Sequence, residues 1–424
     1  MAGGRQRAVD FPRGYPMKAP EPNSRIDLID ALRGSALAAI LLLHAIEHWD
    51  FYRAPDQAAP WLAPWDRAAH DGAFFLFSGK AYALFALMFG VSFCLILDRW
   101  TRRGVPFQGR FLWRLAILAG FGYLNGIVYC GDILLIIAVL GVPLVWLHRL
   151  GSRVLAWLAV ALLLQLPSLV HAARVLLEPA LPLAQPRHWA VYGRLFELYA
   201  TGSLPEVLRT NAWYGQASRL LWTVETGRYT QMLGLFVCGL LLGRARVLED
   251  RARALRLARH ALVWGLVGFA CLVPVQSHLS AWGLDGLRLD AVNEFVSAQV
   301  NLAGTAIWLG LFILLYLATP ARAGLALLAP YGRLSLSGYV TQGLIGVPLF
   351  YGYGLAWYHW AGPLYSVGIG LGILALQLVA AHLWLRAFVY GPLEWLWRSL
   401  TFLNFSTPMR RSPLTEPSLA VQRS

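Results

Sequence analysis

Long apolar runs alternate with short polar loops along most of this chain. A helix needs about 20 apolar residues to cross a hydrocarbon core roughly 30 Å thick. About ten runs come close to that length, so the pattern predicts an all-α, polytopic membrane bundle with about ten transmembrane helices. The predicted spans are residues 27–48, 74–97, 111–129, 132–148, 154–177, 229–246, 258–279, 293–318, 333–353 and 364–389.

Basic residues concentrate in every second loop. Arginine clusters fall in the N-terminal tail and, beyond it, near residues 99–114, 148–153, 244–259 and 322–333. The positive-inside rule assigns this side, and with it both termini, to the cytoplasm. The expected organisation is therefore a cytoplasmic tail (1–26), a transmembrane helical domain (27–405) and a disordered tail (406–424).

The composition supports a membrane protein. The 424 residues are 58% hydrophobic and 14% charged, with a mean hydropathy of +0.53, which a soluble core cannot bury. The net charge of +14 is spread over short loops, which argues for membrane orientation and against nucleic-acid binding. The polar first 26 residues contain no apolar signal-peptide core, so we expect the first span to act as an anchor.

The stretch from about 178 to 228 is too long for a plain connection and is expected on the outer side. Its amphipathic run at 189–199 is rich in aromatic residues and arginine, which favours a helix lying at the membrane surface. The alternative is a lid over an outward-facing site.

The first span carries an arginine and a histidine on one face. Arg33 and His44 are eleven positions apart, which is almost three helical turns and roughly 16 Å along the axis. Ionisable groups inside a span are costly and are candidates for function. The alternative is structural: Asp30 pairs with Arg33, and His44 hydrogen-bonds a neighbouring helix. The spacing from His44 to Glu47 and His48 also matches an inverted zinc-peptidase motif, but with no evident third ligand we expect no metal.

Other polar groups interrupt the apolar sequence. Lys80 either snorkels to the interface or binds an anion. Asp132 either caps a helix or takes part in a site. Neutral polar residues in later spans are expected to form interhelical hydrogen bonds; these are Gln299, Asn301, Tyr339, Thr341 and Gln342.

Several segments resemble the YeiB-like family of bacterial inner-membrane proteins: residues 30–34, 80–93, 131–134, 331–342 and 391–401. That family is similar to the transmembrane acyltransferase superfamily, in whose O-acetylating branch an arginine and, after ten residues, a histidine mark the first span. Arg33 and His44 fit that spacing. Relatives often carry a histidine shortly before the Gly-Asp segment, where this chain has Asn125.

The resemblance implies a multi-pass protein of the bacterial inner membrane that takes acyl-CoA from the cytoplasmic side. We expect transfer of a short acyl group, with acetyl-CoA as the first candidate donor, to an envelope glycan, lipid or small molecule. His44 would act as general base or acyl carrier, and Asp132 would orient it or bind the acceptor. Arg33, Lys80 and Arg114 would bind the phosphate and pantetheine portions of the donor. The alternatives are a transporter and a non-catalytic membrane scaffold.

Overall fold

The computed structural model describes residues 27–57, 59–178 and 180–411, and the regular elements within them are helical. The predicted tail at 1–26 and residues 412–424 lie outside the described residues. The helices are α1 (Asp27–Ile46), α2 (Ala63–Phe77), α3 (Lys80–Arg102), α4 (Phe107–Val128), α5 (Leu134–Gly141), α6 (Leu144–Leu147), α7 (Ser152–Leu163), α8 (Leu166–Leu177), α9 (Arg187–Thr201), α10 (Leu204–Thr210), α11 (Gln216–Glu225), α12 (Arg228–Arg244), α13 (Arg251–His278), α14 (Gly286–Ala318), α15 (Arg322–Leu325), α16 (Leu328–Arg333), α17 (Ser335–Phe350), α18 (Pro363–Ala387) and α19 (Pro392–Phe402).

Among the described residues, seven helical segments are long and apolar enough to cross a membrane. They are Asp27–Ile46, Pro60–Arg102, Phe107–Val128, Ser152–Leu177, Arg251–His278, Gly286–Ala318 and Pro363–Ala387. The other three predicted spans correspond to the broken helix Leu134–Leu147 and to α12 and α17, which have 17 and 16 residues. At 1.5 Å per residue, these two helices are only about 25 Å long, shorter than the hydrocarbon core.

Helix α1 is the centre of the bundle. In the most apolar 18-residue stretch of α1, 83% of the residues are buried, since α3, α16, α17 and α18 all pack around it. Its closest neighbour is α16, and glycines permit the approach: a Cβ on Gly34 would overlap the carbonyl oxygen of Leu328, and one on Gly332 would overlap that of Asp30. Small residues let membrane helices pack backbone to backbone.

The chain leaves α1 through a left-handed turn. His48, Trp49 and Asp50 have φ values of 49°, 56° and 65°, a region that L-residues other than glycine visit rarely. Trp49 and Asp50 are both buried, and the hydroxyl of Tyr351 donates to the carbonyl oxygen of Trp49 at 2.9 Å. Such strained turns persist only when their surroundings hold them, and they are common at functional sites.

The outer insertion folds back onto this turn. Tyr199 of α9 stacks on Tyr351 with ring centroids 4.4 Å apart, and it also contacts Phe51 edge to face. The amphipathic run at 189–199 is helical, as predicted, but its aromatic face is buried against protein. The insertion therefore covers the end of α1.

The start of the predicted disordered tail is ordered. Arg411 donates its backbone N–H to Ala387, and the indole of Trp395 donates to the carbonyl oxygen of Thr407 at 3.0 Å. Residues 406–411 thus pack against the ends of α18 and α19, because α19 presents an indole donor that the apolar pattern alone does not reveal.

Candidate functional site

A large cavity lies at the Arg33 end of α1. It has a volume of about 960 Å³ and is lined by six arginines, namely Arg33, Arg99, Arg103, Arg114, Arg333 and Arg398. Asp30, Glu249 and Glu394 are the acidic residues among its described lining, so positive charge prevails. The remaining wall is mostly aromatic and aliphatic. We call this space the arginine cavity.

Fixed contacts hold the arginines of this cavity in place. Arg33 pairs with Asp30 at 2.9 Å and also donates to Ser92 of α3. The guanidinium of Arg114 lies over the ring of Trp397, 3.5 Å from its centroid. Cation–π stacking of this kind fixes the plane of the guanidinium and leaves its edge available for an anion. The wall is therefore suited to binding phosphate groups.

Glu394 has a structural role at the same cavity. Its carboxylate accepts hydrogen bonds from the backbone N–H groups of Leu336 and Ser337, at 2.8 and 3.1 Å, at the start of α17. Burial raises the pKa of Glu394, and the hydrogen bonds from Ser337 oppose that rise. This cap joins α19 to α17 and fixes the helix that carries Trp397.

A second, smaller space surrounds His44. This His44 chamber has a volume of about 110 Å³, and seven helices and the left-handed turn contribute to its described lining. Its polar lining consists of His44, Glu47, Asp50, Tyr52, Ser78, Tyr82, Tyr129, Arg219, Thr223, Arg228 and Tyr339. His44 is nine-tenths buried, and its Nδ1 has no hydrogen-bond partner among the described residues. Its ring lies 5.0 Å from that of Tyr129, centroid to centroid.

Charged groups face one another across the chamber. Arg219 Nη1 of α11 lies 3.8 Å from Asp50 Oδ2 of the left-handed turn. Burial raises the pKa of Asp50, and the nearby Arg219 guanidinium opposes this rise. Arg228, at the start of α12, donates to the hydroxyl of Tyr82 at 2.7 Å. The chamber thus combines a histidine, two arginines and two carboxylates, Glu47 and Asp50, in one small space.

An aliphatic layer separates the two spaces. Among the described residues, none lines both. Leu134 and Ile137 of α5 line the arginine cavity, whereas Ile133 and Ile136 line the His44 chamber. On α1, the fully buried Leu37 lies between Arg33 and His44. A polar path from one to the other would have to pass through these side chains.

The structure places three of the five predicted site residues at these spaces. Arg33 and Arg114 line the arginine cavity, and His44 lines the chamber. Lys80 is buried elsewhere and donates to the carbonyl oxygen of Ser78 and to Asn301 Oδ1, both at 3.1 Å. It is not part of the described lining of the arginine cavity, to which α3 contributes from Phe85 onward.

Asp132 forms its described hydrogen bonds with groups other than His44. Its Oδ1 accepts from Asn125 at 2.8 Å and its Oδ2 from the backbone N–H of Leu135 at 3.1 Å, so it caps α5. The carboxylates at the chamber are Glu47 and Asp50. The expected pairing of Asp132 with His44 therefore gives way to a helix cap, the alternative that its position at a helix start also offered.

His48, the last residue of the spacing that resembles a zinc motif, makes its contacts with residues other than His44 and Glu47. Its Nε2 is 3.0 Å from the carbonyl oxygen of Ala361, and its ring stacks on Phe350. Among the described residues, no group of three or more His, Cys, Asp or Glu side chains is placed to hold a metal ion. The spacing that resembles a zinc motif here joins residues that face different directions.

Sequence reasoning missed Asp50, Arg219 and Arg228. Asp50 follows the first span in what reads as a short polar loop, and both arginines lie near the end of the insertion. One signal was present: Arg219 and Arg228 flank Trp222 in the same amphipathic stretch, and a lid was one interpretation of it. The expected interhelical hydrogen bonds are observed, for example from Gln342 Nε2 to the hydroxyl of Tyr331 at 2.9 Å.

The described residues include seven helical segments of membrane length and two internal spaces lined by charged side chains, which define a polytopic membrane protein with a candidate internal site. Residues 242–404 match the family model described as protein of unknown function DUF418. The chain is 26% identical to the uncharacterized protein YxaH of Bacillus subtilis, a match covering 90% of this chain and 96% of that protein. It is 28% identical to the uncharacterized protein YeiB of Escherichia coli, covering 88% and 95%. The resemblance to YeiB-like proteins is confirmed. No solved structure matches the chain significantly.

Proposed function

We propose that this protein transfers a short acyl group from acyl-CoA to a hydroxyl or amine acceptor at the outer side of a bacterial inner membrane. One observation carries the proposal: a roomy, arginine-lined cavity lies next to a smaller chamber that holds a buried histidine, whose Nδ1 has no hydrogen-bond partner among the described residues. The first space suits a polyanionic donor, and the second suits proton transfer away from water.

The arginine cavity is the proposed donor site. Guanidinium groups bind phosphate oxygens in pairs, and the half-buried Arg33, Arg114, Arg333 and Arg398 surround a space of about 960 Å³. The aliphatic and aromatic wall between them would hold the less polar arm of the donor. By the positive-inside rule this cavity faces the cytoplasm, where acyl-CoA is available.

The His44 chamber is the proposed reaction site. His44 would accept the proton of the acceptor hydroxyl or amine as the acceptor attacks the thioester carbonyl. The new C–O or C–N bond forms, the C–S bond breaks, and His44 returns the proton to the departing thiolate. Tyr129 and Tyr339, which flank the ring, would position the acceptor.

The aliphatic layer requires a conformational step. The thioester can reach His44 only when side chains such as Leu37 and Ile137 move aside, as in enzymes whose sites close before reaction. The same layer supports a second candidate function: two polar spaces on either side of a thin apolar barrier are also the arrangement of an alternating-access transporter.

Labelled acetyl-CoA and purified protein test the proposal. Wild type is expected to bind acetyl-CoA and to release CoA slowly by transfer to water. His44→Gln should retain binding and lower CoA release by about a hundredfold or more, the usual contribution of a general base. His260→Gln makes the same chemical change at an exposed position of α13 and should match wild type.

Two results would contradict the proposed acyl-transfer activity. One is the absence of acetyl-CoA binding by wild type, and the other is release of CoA at equal rates from wild type and His44→Gln. The transporter is supported instead if proteoliposomes move a labelled anion across the bilayer with no acyl-CoA present.

A further inference from the structure

Three nitrogen atoms in or beside the His44 chamber lack partners. His44 Nδ1, Arg219 Nε and Arg228 Nε are buried and have no hydrogen-bond partner among the described residues. Buried polar groups are nearly always paired, and an unpaired one costs about 1–3 kcal/mol. Three in one small enclosed space indicate a ligand that supplies acceptors.

The two guanidinium groups contact the same aromatic ring. Arg219 lies over Trp222 at 4.5 Å from the ring centroid, and Arg228 lies over the same ring at 5.1 Å. Arg228 is also 5.1 Å from the ring centroid of Tyr82. Because both cations pack on one indole, the two side chains are held in place before any ligand enters. Such preorganisation is typical of a binding site.

Two carboxylates, Glu47 and Asp50, line the chamber and oppose this positive charge, but burial raises the pKa of each and so disfavours their charged forms. Asp50 Oδ2 is 3.8 Å from Arg219 Nη1, beyond hydrogen-bond distance. Burial favours the neutral form of Asp50 by raising its pKa. Arg228 hydrogen-bonds a neutral hydroxyl, that of Tyr82, whereas Glu294 and Glu47 act on it through their charges. A bound anion would therefore find both guanidinium groups available.

We propose that Arg219 and Arg228 form an anion subsite, and that the acceptor in the His44 chamber carries a carboxylate or phosphate group. This inference rests on the proposed function, since it names the class of acceptor that His44 would deprotonate. Arginine forks bind carboxylate and phosphate oxygens in the same geometry. The acidic group anchors the acceptor at α11 and α12, and its hydroxyl or amine faces His44.

Thermal unfolding of the purified protein tests this without any acyl donor. Glucuronate and glycerol 1-phosphate are the acidic probes, and glucose and glycerol are their neutral counterparts. At least one acidic probe should raise Tm by a few degrees, while the neutral probes leave it unchanged. Comparison of glucuronate with glycerol 1-phosphate distinguishes a carboxylate from a phosphate on the acceptor.

Variants locate the bound anion. The shift should vanish in Arg219→Gln and in Arg228→Gln, and it should persist in Arg209→Gln, an exposed arginine on α10. It should also persist in Arg114→Gln, which alters the arginine cavity instead.

The subsite is refuted if acidic and neutral probes act alike in wild type, a comparison that needs no variant to fold. It is also refuted if the shift is lost in Arg114→Gln and kept in Arg219→Gln. Neither result depends on acyl transfer, so a protein that fails to consume acetyl-CoA can still pass this test.

Discussion

Asp50 and Arg219 face each other across the His44 chamber, with 3.8 Å between Oδ2 and Nη1. They are far apart in the chain: one lies on the left-handed turn after α1 and the other on α11 of the outer insertion. Both side chains are largely buried, with exposed fractions of 5% and 14%. The pair therefore links the insertion to the centre of the bundle.

Asp50→Asn should destabilise the protein. Asparagine tolerates the φ of 65° at this position, so the backbone keeps its turn while the ionisable carboxyl group that faces Arg219 is replaced by a neutral amide. We expect a loss of about 1–3 kcal/mol in the free energy of unfolding. The combination with Arg219→Gln should cost less than the sum of the two single variants. Thermal unfolding of the four proteins measures this coupling, and strictly additive losses would show that the two groups do not interact.

Lys80 and Arg114 should differ in their effect on acyl-CoA binding. Lys80 is bound to Ser78 and Asn301, away from the arginine cavity, whereas Arg114 lines that cavity. Arg114→Met should weaken CoA affinity by about tenfold or more, as loss of one charged hydrogen bond does. Lys80→Met should leave the affinity unchanged. Calorimetric titration with CoA measures both.

Arg153→Met serves as the control for these titrations, because Arg153 is exposed on α7 and lines neither space. An equal loss of affinity in the Lys80 and Arg114 variants would contradict the assignment of the donor site.

The α1–α16 contact should be sensitive to a single methyl group. Gly34→Ala places a Cβ against the carbonyl oxygen of Leu328, and relieving the overlap should cost about 1–3 kcal/mol. Gly372→Ala, in the middle of α18, is the matched control, since its new Cβ would meet nothing within 4 Å. Alanine is the better helix former, so this variant should be neutral or more stable. Similar Tm values for both variants would show that the close approach is unimportant.

The outer insertion should lose local stability at low pH. The Glu225 carboxylate accepts from the backbone N–H groups of Arg187 and His188, both at 3.1 Å, and contacts the ring of His188 at 2.6 Å. Partial burial raises the pKa of Glu225, but these hydrogen bonds outweigh it and hold the pKa below its usual range. The stabilisation is therefore complete above the unfolded pKa of about 4.3 and is lost as the pH falls through the lower folded pKa.

Hydrogen exchange of residues 187–225 follows this contact. Exchange should rise in wild type as the pH falls below about 4, after correction for intrinsic rates. Glu225→Gln should exchange faster already at neutral pH and change little on acidification, because it has no charge to lose. A wild-type profile that stays flat relative to the variant would contradict the role of Glu225.

Several features of the structure could be predicted from local patterns in the sequence. The apolar runs predicted a helical membrane bundle, since burial in lipid forces the backbone to satisfy its own hydrogen bonds. The eleven-residue step placed Arg33 and His44 on one helix, and both line polar spaces. Proline at the start of α19 and the pairing of Asp30 with Arg33 also follow from neighbours in sequence. Each depends on residues within a few turns of one another.

Tertiary structure alone decided the rest. Asp50 lines the His44 chamber because three consecutive residues, His48 to Asp50, adopt left-handed backbone conformations. Arg219, which lies well over a hundred residues later in the outer insertion, lines the same chamber. Lys80 and Asp132 look like site residues in sequence, yet their partners are Asn301 and Asn125. Periodicity gives the face of a helix, but which helix lies opposite that face depends on packing between segments distant in the chain. The number of spans depended on packing as well, because α12 and α17 are largely enclosed by other helices and are shorter than the bilayer core.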